Sequence, residues 1–337
     1  MDAAYAERLK VFREDALRAL RSPAGEKRID AKYLYDDARP EMFTKLTHLT
    51  SYYPTNADVR TLTHNMNDIV QSLPDKAVVC EIGGNSRGRT VPLVQACVDA
   101  GKMSVFFQID ICDPTQSTAL DEIRTEVTMP AGFSLDLKGL CADTDSLDFG
   151  KVGLPKPDVA FIFGGTALNC KPKDIPARLR NWAGRFGNTL IFTAGIVVDD
   201  ALFSNAYNEA DAVHVEWSVG LLDRMNRELQ GDFNLEPTET RADPRDLYKY
   251  WGYEVEIFAE LPWRYLSMYL VSKVEQTVHV EGETFTFQKG ERIHIADTCR
   301  IEPKNMPAVL ATAGLVVKHA WVDPEGQSAL YAISPKD

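Results

Sequence analysis

Chemistry in this chain is most readily placed on VVCEIGGNSRGRT, Val78 to Thr90. A β-prone apolar run ends in Glu81, and Gly83, Gly84, Asn85, Ser86, Arg87 and Gly88 follow. That is the pattern of a strand entering a tight turn and a helix, the junction at which α/β proteins bind nucleotides. A dinucleotide fingerprint asks for three glycines, and the residues at those places are Gly83, Asn85 and Gly88. Asn85 tolerates left-handed backbone angles but sets a side chain where a pyrophosphate would approach. S-adenosylmethionine (SAM) has no phosphate, so its turn can be looser. Such a site needs an acid at the end of the second strand for the ribose hydroxyls, and Asp110 in FFQIDICD stands there. It also needs a polar group near the adenine amine, which Asp143 in GLCADT offers. This spacing favours SAM over NAD. The plain alternative is a packing turn with no ligand, with Asp110 and Asp143 as helix caps.

The elements that must position these residues are legible from periodicity. Residues 3–21 carry apolar side chains at helical spacing, a second helix runs from about Glu41 to Leu49, and a third from about Asp58 to Leu73. SYYPTNAD between the last two reads as a Pro-containing turn whose Asn and Asp cap the next helix. From about residue 76, strand and helix alternate: AVVCEIGG, MSVFFQIDIC, SLDLKGLCAD, PDVAFIFGG and NTLIFTAG are five strands. Strands separated by helices imply parallel βαβ units in a doubly wound sheet, whose ligands lie beyond the C-terminal strand ends. GLVVKHAWVDPEGQSALYAIS is instead an antiparallel hairpin about the turn DPEG. An α/β sheet ending in such a hairpin is the Rossmann-like layout of class I SAM methyltransferases. The expected organisation is 1–70, an N-terminal helical part of a substrate domain; 71–196, the SAM-binding domain; 197–286, an inserted substrate domain; and 287–337, a C-terminal part with a pocket strand and the hairpin.

Composition narrows the class. The chain has 337 residues, 45% apolar and 26% charged, as an ordinary globular protein does. A formal charge of −12 with no long basic run argues against nucleic acid and anionic membrane surfaces as partners. The N-terminal stretch mixes charges throughout and reads as neither signal peptide nor membrane span, so a cytoplasmic protein is expected, monomeric by default. Six scattered cysteines with no C-x-x-C pair read as reduced, mostly buried thiols. His294 lies near Cys299 without further ligands, so no metal site is expected.

Several separated blocks resemble the ergothioneine-pathway histidine Nα-methyltransferases, SAM-dependent amino-acid N-methyltransferases. KYLYDDARPEMFTKLTHLTSYYPTNAD is similar to that family's N-terminal signature, MNRELQGDFNL to its N-R-E-L-x-x-D-F block, KGERIHIADTCRIEPKNM to its G-E-x-x-x-T-E-x-S-x-K block, and WVDPEGQSALYAI to its ending. The blocks keep the family's order from about residue 25 to 335. The resemblance implies a SAM-dependent N-methyltransferase acting on the amino group of a free amino acid. By position, Tyr35, Gly83, Arg89, Asp110, Asp143 and Thr144 match residues that contact SAM, with Arg89 in place of the family's usual Lys. Tyr52, Asn169 and Tyr207 match those that hold the amino acid's α-amino and α-carboxylate groups. Phe43, Gly164, Thr166 and Met268 match the pocket lining. Tyr35 and Tyr52 are the candidates to relay a proton from the substrate amine. On composition alone both tyrosines read as packing residues, and only the match assigns them roles.

One departure bears on the substrate. The family grips the imidazole with a Glu and a Ser two residues apart on one strand, and here those positions are Ala296 and Thr298. Asp297 faces the other side of a strand and does not replace the lost acid. A site that loses a polar contact loses discrimination, and Ala296 leaves room. Histidine is therefore expected to be a poor substrate and a bulkier, tryptophan-like acceptor favoured. Arginine is the alternative if His294, Asp297 or Glu228 turns inward by a register shift. A catalytically idle relative that binds SAM or an amino acid, and an NAD-linked oxidoreductase, are the rival classes.

Overall fold

The computed structural model describes residues 3–83, 88–144 and 147–336. Asn85, on which the phosphate argument rests, lies outside the described residues. In chain order the helices are α1 (Ala3–Arg21), α2 (Glu41–Thr47), α3 (Tyr53–Ser72), α4 (Thr90–Asp99), α5 (Asp113–Glu126), α6 (Ile175–Arg185), α7 (Asp200–Tyr207), α8 (Val213–Glu228) and α9 (Met306–Thr312). The strands are β1 (Ala77–Ile82), β2 (Met103–Asp110), β3 (Asp136–Cys141), β4 (Val159–Ile162), β5 (Thr189–Gly195), β6 (Trp251–Glu260), β7 (Trp263–Ser272), β8 (Gln276–Val280), β9 (Glu283–Phe287), β10 (Arg292–Ile301), β11 (Leu315–Val322) and β12 (Ser328–Pro335). Two compact units divide them: residues 53–198, 259–264 and 298–337 form the larger, and 1–52, 199–258 and 265–297 the smaller.

In the larger unit, β1 and β4 are almost wholly apolar and almost wholly buried, as strands covered on both faces must be. They sit at the centre of a parallel sheet in the order β3-β2-β1-β4-β5. β12 then runs antiparallel to β5, and β11 antiparallel to β12. That order, with its last strand inserted antiparallel beside β5, is the class I SAM-methyltransferase fold. The jump from β1 to β4 makes a switch point, where neighbouring connections leave in opposite directions and a crevice opens at the strand ends.

Helix α3 departs from expectation. It begins at Tyr53, five residues before Asp58, because Pro54 falls in the first turn, where a missing N–H leaves no hydrogen bond unmade. SYYPTNAD is thus largely helix. Leu62, Ile69 and Val70 of α3, with Leu73 just after it, pack with Val79, Leu93, Phe106 and Leu330 in one apolar core. Arg60 binds the buried Asp323 carboxylate of the hairpin turn through Nε at 3.1 Å and Nη2 at 2.9 Å. These contacts place the boundary between units at residues 52 and 53 rather than near 70.

The smaller unit contains α1, α2, α7 and α8, strands β6, β7 and the first part of β10 in neighbouring positions, and the β8–β9 hairpin. The last residues of β10 belong to the larger unit, where Arg300 pairs with Gly195 of β5. No described helix is long and apolar enough to cross a membrane. Cys80, Cys97, Cys112 and Cys299 are buried, and among the described residues the cysteines form no disulfide.

Candidate functional site

Within the larger unit, the sequence-selected residues gather at the C-terminal ends of β1, β2, β3 and β4. Gly83 follows β1 with φ 66°, a conformation natural to glycine, and its N–H donates to Ile109 O at 2.9 Å. Among the described residues a Cβ added there would come within 3.9 Å of Thr166 Oγ1. Gly164 and Gly165 follow β4, also left-handed, at 71° and 72°. Added Cβ atoms there would lie 3.9 Å from Arg89 Nη1 and from Asn169 Oδ1 respectively. Gly83, Arg89, Gly164, Thr166 and Asn169 therefore surround one turn at the switch point.

Two acids hold this turn. Asp58 of α3, which sequence reading took for a helix cap, is 5% exposed and accepts from the Gly164 N–H at 2.8 Å, from Ser328 Oγ at 3.0 Å and from Arg89 Nη1 at 3.3 Å. Arg89 also lies over the Phe163 ring at 5.4 Å. Burial raises the Asp58 pKa, with Arg89 and the two hydrogen bonds opposing. Glu81, fully buried on β1, accepts from Thr90 Oγ1 at 2.8 Å, while its Oε1 has no hydrogen-bond partner among the described residues. Desolvation pushes its carboxyl up to about 6 against the Thr90 bond and Arg89.

Asp110 ends β2, where its Oδ1 accepts from the Cys112 N–H at 2.7 Å. Cys112 precedes α5 as its N-cap, so this bond closes a short turn between β2 and the helix. Asp143 and Thr144 follow β3, held alongside because the Ala142 N–H donates to Asp110 O at 2.9 Å. The Thr144 carbonyl accepts from Arg185 Nη1 at 2.8 Å. A left-handed glycine and acids at successive strand ends suit a cationic sulfonium and ribose hydroxyls better than a pyrophosphate.

Thr298 does not stand alone. Its Oγ1 accepts from Arg300 Nη1 at 2.9 Å, and Arg300 Nε donates to Tyr53 Oη at 3.1 Å. Arg300 is 3% exposed, and its side chain crosses Gly195 so closely that no Cβ fits there.

In the smaller unit the selected aromatics form a continuous array. Tyr35 meets Phe43 at 5.2 Å and Trp217 at 5.7 Å between ring centroids, both edge-on. Tyr52 meets Tyr207 edge-on at 5.5 Å. His214 joins the two groups, with its ring 5.7 Å from Tyr52, 5.5 Å from Tyr207 and 6.4 Å from Trp217. The Tyr35 carbonyl accepts from Arg224 Nη1 at 2.8 Å. Sequence reading missed His214 and Trp217, although their spacing of three residues in VHVEWSV sets both on one face of α8.

Met268 on β7 and Ala296 on β10 are 4% and 7% exposed. Their chain neighbours Ser267 and Asp297 are hydrogen-bonded across the two strands at 2.6 Å, so Met268 and Ala296 share the opposite face. Asp297 also accepts from Arg28 Nη2 at 3.1 Å and lies 2.9 Å from His294 Nε2. Glu228 is held by Arg224 at 3.2 Å. Asp297, His294 and Glu228, any one of which would serve a guanidino acceptor, are thus engaged with protein partners. Among the described residues no cluster of His, Cys, Asp or Glu could hold a metal ion.

A family model described as "histidine-specific methyltransferase, SAM-dependent" matches residues 12–335. The chain belongs to this family. It is a SAM-dependent N-methyltransferase, and the spacing argument for SAM over NAD is borne out. A histidine N-alpha-methyltransferase of Mycolicibacterium smegmatis is 26% identical over 91% of this chain and 90% of its own. An L-tryptophan methyltransferase of Psilocybe serbica is 21% identical over 96% and 92%. Among solved structures, magnesium protoporphyrin IX methyltransferase of Synechocystis matches with a TM-score of 0.42 and 10% identity, over 90% of this chain and 98% of that one.

Proposed function

We propose that this family member methylates the α-amino group of a free amino acid other than histidine, an indole-bearing side chain being favoured. The observation that carries the reading is Ala296. A small apolar residue occupies the position of the family's imidazole-binding acid, and the neighbouring carboxylate of Asp297 is spent on Ser267, Arg28 and His294. An unpaired imidazole would find no acid on that face, whereas an indole asks mainly for apolar area. The similarity to a protein named as a tryptophan methyltransferase supports this, and the somewhat higher identity to one named for histidine weighs against it.

In this reading Gly83, Asp110, Asp143 and Thr144 hold SAM, and the Asp58–Gly164 latch keeps their turn in shape. SAM supplies an electrophilic methyl group on a cationic sulfur. The protein's task is to present an uncharged amine in line with that carbon, since a near-attack geometry accounts for much of such a rate. Tyr52 and Tyr207 hold the α-amino and α-carboxylate groups, and Met268 and Ala296 receive the side chain.

The test is a screen of the twenty common amino acids with methyl-labelled SAM, read by mass. Tryptophan or another bulky apolar side chain should gain the label fastest. Histidine as the best acceptor would overturn the argument from Ala296.

A further inference from the structure

Glu209 and His214 are 2% and 1% exposed and face each other across the loop between α7 and α8. Glu209 accepts from the His214 backbone N–H at 2.9 Å with one oxygen and lies 2.5 Å from His214 Nδ1 with the other. The loop reaches this arrangement through Ala212, at φ 58°, a left-handed conformation that disfavours a Cβ and persists where surrounding contacts over-determine it. Bound on Nδ1 to a carboxylate, the imidazole keeps its proton there and presents Nε2 as an acceptor. Around the ring stand Tyr52, Tyr207 and Tyr253, with centroids at 5.7, 5.5 and 6.5 Å, and Trp217 at 6.4 Å.

We propose that His214, backed by Glu209, takes up the proton that the acceptor's α-ammonium must lose before methylation, with Tyr52 as the relay. The inference rests on the functional reading above, which puts the amino group at Tyr52 and Tyr207. The step is balanced: the ammonium N–H bond breaks, the hydroxyl of Tyr52 passes a proton on as it receives one, and an N–H bond forms at Nε2. The amine keeps the electron pair that then bonds to the methyl carbon, while the sulfur keeps the pair of the broken C–S bond. Imidazolium and carboxylate form a neutral pair, and the proton leaves to solvent with product.

Electrostatics around the pair agree. Burial works against charge on Glu209, but the hydrogen bonds and charge of His214 outweigh it and hold the carboxyl below its usual range. Among the described residues the other titratable groups near the pair are the three tyrosines and Arg245, whose pKa is raised by its hydrogen bond to Asp243 and, least, by Glu209. Tyr253 donates to Tyr207 O at 2.9 Å, and burial, then Glu209, lifts its pKa well above the ordinary value. It therefore stays a neutral phenol and does not act as a base beside the imidazole.

The direct test is nuclear magnetic resonance of the native enzyme with labelled histidine, free and then saturated with S-adenosylhomocysteine and L-tryptophan, or whichever amino acid the screen selects. The His214 ring should hold one more proton in the complex than in the free enzyme. A ring that keeps one protonation state throughout overturns the inference. His214→Gln should lower kcat about 100-fold with KM within about threefold, and its rate should climb with pH toward the pKa of the substrate amine. Loss confined to KM would mark a structural role and also overturn it. Failure of every amino acid to accept the methyl group would instead overturn the functional reading. Methylation with a silent His214 defeats the inference alone.

Discussion

The backbone N–H of Gly164 donates to the buried carboxylate of Asp58 at 2.8 Å, joining the turn after β4 to a helix that begins more than one hundred residues earlier. Arg89 donates to the same carboxylate oxygen, and Ser328 to the other. Asp58→Ala should therefore destabilise the larger unit by about 3 kcal/mol, the scale for leaving one member of a buried pair without its partner. SAM binding should weaken at least about tenfold. Urea denaturation and calorimetry with SAM check both, and Asp58→Asn, which still accepts from Gly164, should recover part of each. Unchanged stability in the alanine variant would show that the latch is incidental.

Glu81 predicts a dependence of stability on pH. Its folded pKa of about 6 exceeds the ordinary 4.5, so its contribution is most favourable below about 4.5 and is lost as pH rises through about 6. A shift of that size corresponds to about 2 kcal/mol. Between pH 4.5 and pH 7 the native enzyme should lose about that much relative to Glu81→Gln, a difference in which other titrating groups cancel. Parallel curves for the two proteins would exclude it.

Ala296→Glu should raise kcat/KM for histidine at least about tenfold relative to tryptophan, by returning an acid to the face that Asp297 does not share. Competition assays with both amino acids measure the ratio directly. An unchanged ratio would mean that acceptor choice is made elsewhere.

At Gly195 any side chain would overlap Arg300 Cδ and Nε. Gly195→Ala should therefore cost about 1–3 kcal/mol, the range for overpacking, and unseat the Arg300 bonds to Tyr53 and Thr298. Thermal denaturation of this variant beside Thr298→Val separates loss of packing from loss of a single hydrogen bond.

The sheet was legible because its strands are local statements: apolar runs of four to eight residues, glycines at their ends, and DPEG between two alternating stretches. Pro54 misled, since a proline in a first helical turn has the same signature as one in a loop. Asp58 and Arg300 were hidden for another reason. Their partners Gly164, Ser328, Tyr53 and Gly195 come from remote parts of the chain, and no spacing rule connects them. Glu209 and His214 are close in sequence, yet their pairing depends on the left-handed turn at Ala212, where an alanine gives no warning.

The opposite faces of β7 and β10 have different tolerances for change. One is tied by Ser267, Asp297, Arg28 and His294, so substitutions there break several bonds at once. The other presents Met268 and Ala296, whose exchange disturbs neither those bonds nor the strand pairing. Under the proposed function, such a division lets the acceptor pocket change by single substitutions while the bonds of the opposite face remain intact.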